Sequence, residues 1–115
     1  MRALILATGL ALLAGCTTAT DLKSGSPVFS GNTKKSSKQY ALCVFPKWQD
    51  LNSGTSMSET ETGYRLLMGS PATGQADELL EITDASTGAS VKHFQRIAWQ
   101  QLGRAAVSDA VKSCL

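Results

Sequence analysis

Few residues of the types that commonly carry chemistry occur in this chain of 115 residues, which holds three cysteines and one histidine. His93 has no second metal-type ligand near it in sequence and alternates with Lys92 and Phe94 in a predicted strand, so we interpret it as a solvated or hydrogen-bonded strand residue. The sequence contains no Gly-x-Ser-x-Gly elbow, His-Glu-x-x-His, phosphate-binding glycine loop or Cys-x-x-Cys. No metal and no cofactor is predicted.

Paired carboxylates are the other candidates, because two of them can act as acid and base in glycoside hydrolysis. The two groups are Glu59 with Glu61, and Asp77 with Glu78 and Glu81. Residues i and i+2 of a strand point to one face, and charges there usually protect a sheet edge from aggregation. We therefore interpret these acids as solvent-facing and predict no catalytic residue.

Neither the tryptophans nor the charge distribution indicates a particular ligand. Trp48 and Trp99 fall at apolar-face spacing in predicted helices, so they are interpreted as core rather than as stacking platforms. Residues 39–115 hold six basic and eight acidic residues, a formal charge of −2, which disfavours nucleic acid as a partner.

The amino-terminal segment has the layout of a secretory signal. Met1 and Arg2 form a positive start, and Ala3 to Leu13 form an apolar run interrupted only by Thr8 and Gly9. A permanent membrane span needs about 20 apolar residues, so this run of 11 is too short for one. The segment predicts export rather than a transmembrane anchor.

The run ends in Leu13-Ala14-Gly15-Cys16, which resembles the lipobox of bacterial lipoproteins. The resemblance implies that Cys16 Sγ receives a diacylglyceryl group and that the dedicated signal peptidase removes residues 1–15. In Gram-negative cells the new amino group of Cys16 is then acylated, typically with palmitate. Each buried methylene contributes about 0.8 kcal/mol, so two or three chains form an essentially permanent anchor. An ordinary secretory signal or a short buried helix is the alternative.

The residue after the lipobox cysteine bears on location. Thr17 stands where enteric-type sorting reads aspartate as a signal to stay in the inner membrane. We therefore expect the periplasmic side of the outer membrane, with the inner membrane or the cell surface as alternatives.

Residues 16–38 are predicted to be the lipidated cysteine and a flexible linker, because serine, threonine, glycine and lysine dominate them. The linker also holds Lys34, Lys35 and Lys38. These lysines either keep it solvated or attract anionic lipid head groups or peptidoglycan carboxylates, at about 1 kcal/mol each near a charged surface.

Residues 39–115 are predicted to form one small α+β domain. Tyr40–Phe45 is interpreted as a buried strand ended by Pro46, and Lys47–Asn52 as a short helix with Trp48 and Leu51 turned inward. Two hairpins follow, and together these segments make about five antiparallel strands. The hairpin strands are Met57–Thr62 with Tyr64–Met68, and Leu79–Thr83 with Ala89–Phe94.

An amphipathic helix is predicted from Arg96 to the end of the chain. Its apolar face comprises Trp99, Leu102, Ala106, Ala110 and Cys114, with Gly103 allowing close approach to the sheet. Because export exposes thiols to oxidation and lipid takes up Cys16, we predict a Cys43–Cys114 disulfide; two buried thiols are the alternative. The predicted fold is a small antiparallel sheet packed against this helix and stapled by one disulfide.

The sequence favours a non-enzymatic module that binds a protein partner in the periplasm, of the inhibitor or immunity type. The support is largely negative, through missing catalytic signatures. The alternatives are a structural or assembly accessory of an envelope complex and, third, a small hydrolase acting on lipid or peptidoglycan. No family resemblance is found for residues 39–115.

Overall fold

The computed structural model describes residues 17–70, 74–96 and 104–115. Its five strands form one antiparallel sheet in the order β1-β5-β4-β3-β2, flanked by three helices. The α+β class and the five strands are thus confirmed. The elements are α1 (Ala19–Lys23), β1 (Phe29–Thr33), α2 (Ser37–Leu51), β2 (Ser56–Thr60), β3 (Gly63–Ser70), β4 (Gln75–Ala85), β5 (Gly88–Gln95) and α3 (Arg104–Ser113).

Helix α2 replaces the predicted strand Tyr40–Phe45, which is wrong. A capping box starts the helix, since Ser36 Oγ accepts from the Gln39 amide and the Gln39 side chain accepts from the Ser36 amide. Its buried residues recur at helical rather than strand spacing. They are Ser37, Tyr40, Ala41, Val44 and Trp48.

Pro46 lies inside α2 instead of opening a new helix. A proline in a helix withholds one N–H from the carbonyl four residues earlier, here that of Leu42. Both residues lie on the exposed face of the helix, where water can replace the missing donor. Leu51 is 47% exposed, so its predicted inward orientation is wrong, whereas the core position of Trp48 is confirmed.

The segment predicted as a flexible linker contributes two elements to the domain, so that prediction is wrong for residues 17–38. Strand β1 pairs with β5 from Phe29 opposite His93 to Thr33 opposite Ala89. Thr33 is buried, and its hydroxyl donates to the Leu115 carbonyl at 2.9 Å. The fifth strand therefore comes from this segment and not from Tyr40–Phe45.

Substitution of Gly88 tests whether β1 packs against the β4–β5 hairpin. A Cβ at Gly88 would collide with the backbone of Thr33 and Lys34, and Gly88 has a φ of +146°. We expect Gly88→Ala to lower the free energy of unfolding by more than about 1 kcal/mol. A Cβ at Gly25 would meet its nearest neighbour at 3.5 Å, an ordinary contact. Gly25→Ala is therefore the control, and equal urea midpoints for the two variants would contradict the placement of β1.

Both predicted hairpins are present. β2 and β3 meet at a turn after Thr60, with Thr60 opposite Gly63, and β4 and β5 meet at a turn with Ala85 opposite Gly88. The second connection is therefore the two residues between Ala85 and Gly88, whereas the predicted strands are separated by five residues, 84–88. In β4, Asp77 is left without a partner in β3, because Met68 pairs with Glu78 and Gly69 with Ala76.

The main core lies between one face of the sheet and helices α2 and α3. The Tyr40 hydroxyl donates to the Val111 carbonyl at 2.6 Å, and the Trp48 indole donates to the Val107 carbonyl at 3.2 Å. Burial raises the pKa of the Tyr40 phenol. A smaller cluster on the opposite face packs under α1. Its buried members are Leu22, Ala76, Leu79 and Phe94.

The carboxy-terminal helix is confirmed over Arg104–Ser113, and its predicted apolar face is confirmed in part. Ala110 and Cys114 are buried as predicted, whereas Ala106 is exposed. Val107 and Val111, which the predicted face did not include, are also buried. Trp99, Leu102 and Gly103 of the predicted face lie outside the described residues.

The Cys43–Cys114 disulfide is confirmed, with 5.8 Å between the two Cα atoms. It joins α3 to α2, and not to a first strand as predicted, because Cys43 is helical. The staple therefore fixes the two helices that cover the main core.

Candidate functional site

The structure brings His93 and Glu78 together on the helix-covered face of the sheet. Glu78 lies on β4 and His93 on β5, two residues apart in the register, since Leu80 is opposite His93 and Glu78 opposite Gln95. His93 Nε2 lies 3.2 Å from Glu78 Oε2. His93 is 0% exposed and Glu78 3% exposed. The prediction that Glu78 faces solvent is therefore wrong.

The second carboxylate oxygen of Glu78 binds two further donors. Oε1 accepts from Gln95 Nε2 and from Arg104 Nε, each at 3.1 Å. The Arg104 guanidinium also donates to the Arg96 carbonyl. Because Arg104 is the first residue of α3, this buried cluster fixes the start of that helix to β4 and β5. We call Glu78, His93, Gln95 and Arg104 the buried polar cluster.

The contact with Glu78 bears on the histidine tautomer. An ionised carboxylate only accepts hydrogen bonds, so a neutral imidazole can donate to it from Nε2 only in the tautomer that carries its proton there. Nδ1 then becomes an acceptor, and it has no hydrogen-bond partner among the described residues. The Trp48 ring packs against the imidazole, with ring centroids 5.5 Å apart.

A histidine oriented by a carboxylate is the arrangement that many hydrolases use to take a proton from a nucleophile. Here the only hydroxyl beside the cluster among the described contacts is that of Ser108, 3.5 Å from Gln95 Nε2. It contacts Gln95 and not His93. With the imidazole fully buried, the arrangement holds the Arg104 side chain and so positions the start of α3.

The comparisons with known proteins find no match for the chain, neither a family model nor a curated protein nor a solved structure. The fold and the site therefore rest on this chain's own residues.

The other two carboxylates of the second predicted group, Asp77 and Glu81, form ion pairs and are of intermediate burial. Asp77 accepts from Arg96 Nε at 2.8 Å, and Glu81 lies 2.7 Å from Arg65. Their interpretation as free solvent-facing charges is wrong. Exposed Glu59 and Glu61, at the β2 edge and its turn, agree with that interpretation.

Of the three predicted site cysteines, the structure brings Cys43 and Cys114 together, while Cys16 lies outside the described residues, as does Trp99. Within residues 17–70, 74–96 and 104–115, no group of three or more histidine, cysteine, aspartate or glutamate side chains is placed to hold a metal. A search of the same residues for a helix long and apolar enough to cross a membrane finds none.

Sequence reasoning missed Gln95 and Arg104 as partners of Glu78. They lie 17 and 26 residues from it, so no local motif joins them. One signal was available: Glu78 precedes the adjacent leucines Leu79 and Leu80. Two neighbouring apolar residues point to opposite faces of a strand and indicate that both faces are buried there.

Proposed function

We propose that this protein is a lipid-anchored envelope protein, held in the outer membrane by acyl chains on Cys16, whose domain binds a protein partner. The observation that carries the proposal is the Leu13-Ala14-Gly15-Cys16 sequence after an apolar export signal. The disulfide supports it in two ways. It suits an oxidising compartment, and it uses the other two cysteines, which leaves Cys16 as the remaining thiol.

We favour a binding role over catalysis because the groups of the buried polar cluster are bonded to one another and enclosed. Glu78 is occupied by three donors inside the protein, and the one histidine is enclosed. Both groups are buried, and a substrate could reach neither without movement of the side chains that cover them, among them Trp48 and Arg104. An inhibitor or immunity module remains our leading candidate.

Membrane attachment is tested by Cys16→Ser. Only the cysteine thiolate accepts the diacylglyceryl group, and the peptidase cuts only the lipidated form. We expect complete loss of incorporated radioactive palmitate and accumulation of the precursor that retains residues 1–15. Ser58→Ala, at an exposed position of β2, is the control and should keep the label. Equal labelling of Cys16→Ser and this control would refute the lipobox assignment.

The outer-membrane location is tested by Thr17→Asp in an enteric-type host. Thr17 contacts the domain through its carbonyl oxygen, which accepts from the Ala76 amide, so the new side chain leaves that bond in place. We expect most of the protein to move to the inner-membrane fractions of a density gradient, with Thr17→Ser as the control. Identical fractions for all three proteins would remove the argument for the outer membrane.

The partner-binding role is tested by purifying the lipidated protein from envelopes after cross-linking. An inhibitor or immunity module should yield one tightly bound soluble partner. A fixed stoichiometric assembly of several envelope proteins would favour the structural accessory. An activity screen on lipid and peptidoglycan with wild type and His93→Ala addresses the hydrolase, and turnover that depends on His93 would overturn the binding role.

A further inference from the structure

The folded domain begins one residue after the cysteine that we propose is lipidated. The Thr17 carbonyl accepts a hydrogen bond from the Ala76 amide of β4 at 2.7 Å. Thr18 then caps α1 through a capping box with Asp21, and the hydrogen bond from the Thr18 amide lowers the pKa of the Asp21 carboxyl. Leu22 of this helix is buried against the sheet. No flexible linker therefore separates Cys16 from the folded domain.

Thr17 lies at one end of the sheet. Strand β4 begins at Gln75, next to Ala76, and β5 ends at Gln95, whose neighbour Arg96 donates its amide to the Asp77 carbonyl. Thr17, Ser26 and Arg96 line one cavity of about 250 Å³. We call the surface around these three residues the anchored end.

The opposite end of the sheet holds the turns of both hairpins, the start of α2 and the last described residue, Leu115. Ser37 at the start of α2 donates to Asp84, and Leu115 accepts from Thr33. Strand β4 connects the two ends through 11 residues, a length of about 33 Å at 3.3 Å per residue. We call this surface the free end.

We infer that the anchored end faces the lipid surface and that the free end is presented to the periplasm. The inference rests on the proposed function, because it requires the lipid on Cys16. Consecutive Cα atoms are about 3.8 Å apart, so acyl chains on Cys16 hold Thr17 at the membrane. A flexible linker of about 22 residues would instead separate the domain from the lipid by roughly 25 Å and let it rotate.

The orientation predicts which surface the lysines near the start of α2 face. Lys34 and Lys38 are exposed, and Lys35 Nζ donates to the Cys114 carbonyl. All three lie at the free end, away from the membrane that would hold Cys16. Exposed Lys34 and Lys38 therefore face the periplasm rather than the head groups of the anchoring membrane, whereas Lys35 is engaged within the domain.

The orientation is tested with fluorophores at the two ends. Ser26→Cys and Ser86→Cys place a thiol at exposed serines of two connections, one at each end. The disulfide and the acylation of Cys16 leave the introduced thiol as the one available for labelling. Labelled, lipidated protein is reconstituted in phosphatidylethanolamine–phosphatidylglycerol vesicles that carry a nitroxide on their head groups. We expect the Ser26 label to be quenched several-fold more strongly than the Ser86 label.

The results of this experiment distinguish a failure of the proposed orientation from a failure of the lipid attachment at Cys16. Insertion of a flexible Gly-Ser segment between Cys16 and Thr17 should reduce the difference between the two labels. Intact mass establishes whether Cys16 is acylated in each sample. An unacylated Cys16 overturns the proposed function and this inference together. Acylated protein with equal quenching at both sites overturns the orientation alone, and indicates a domain that lies on its side or tumbles.

Discussion

Replacement of Glu78 by alanine is expected to lower the free energy of unfolding by about 3–5 kcal/mol, the usual effect of removing one partner from a buried ion pair. Glu78 accepts from Gln95 and Arg104 and contacts His93 Nε2. Without the carboxylate, three donors lose their acceptor, and one of them is a guanidinium whose side chain is only 19% exposed. Urea unfolding of the mature protein in detergent measures the change.

Glu78→Gln separates the charge from the hydrogen bonds, since the amide keeps one acceptor oxygen but replaces the other with a donor. We expect an intermediate loss. Glu59→Ala, at an exposed site on β2, is the matched control and should change the unfolding free energy by no more than about 0.5 kcal/mol. A Glu78→Ala variant as stable as this control would show that the buried polar cluster does not hold α3.

Loss of the disulfide is the second large effect, and Cys114→Ser should lower the free energy of unfolding by about 2–5 kcal/mol. The two cysteines are 71 residues apart, and the chain-entropy formula assigns a loop of that length about 4.4 kcal/mol. The bridge also joins the two helices over the main core, so its loss loosens α3. Degradation in the periplasm should follow, because proteases act on the unfolded chain.

The double variant Cys43→Ser/Cys114→Ser is the informative control. Because the bridge acts as one unit, removal of both cysteines should cost no more than removal of either one. If the losses in unfolding free energy of the two single variants add up in the double variant, each cysteine side chain contributes through packing and not through the bridge. Reaction of the intact mature protein with two equivalents of a thiol reagent before reduction would contradict the bridge itself.

Local signals in the sequence predict the two hairpins correctly. Gly63 and Gly88 mark their turns, and alternating apolar residues flank them. The disulfide is also predictable, since assignment of Cys16 to the lipid leaves one intramolecular pair. These features depend on neighbouring residues or on simple counting, so no tertiary context is needed.

Helix α2 is hard to predict from its apolar run, because Pro46 follows that run directly and usually ends a regular element. Pro46 is tolerated at an exposed position, and the run Tyr40–Phe45 is short enough to resemble a buried strand. The signal that decides the matter is the capping box of Ser36 with Gln39, which lies upstream of the apolar run. Apolar spacing from Tyr40 to Val44 and Trp48 then continues the helical period across the proline.

Strand β1 could not be predicted from its own residues. The sequence Phe-Ser-Gly-Asn-Thr has low strand propensity and no apolar alternation. Its extended state comes from pairing with β5, which would otherwise be an open sheet edge. The buried polar cluster depends in the same way on tertiary structure, because Arg104 meets Glu78 only after α3 has packed.

The central claim is that Cys16 carries the lipid and that the disulfide-bonded domain follows it directly. Mass spectrometry of protein extracted from membranes, digested without reduction, tests both parts at once. We predict an amino-terminal peptide that begins at acylated Cys16, together with a linked pair of peptides containing Cys43 and Cys114. A mature chain that begins at Met1, or one that carries an unmodified Cys16 thiol, would contradict the account.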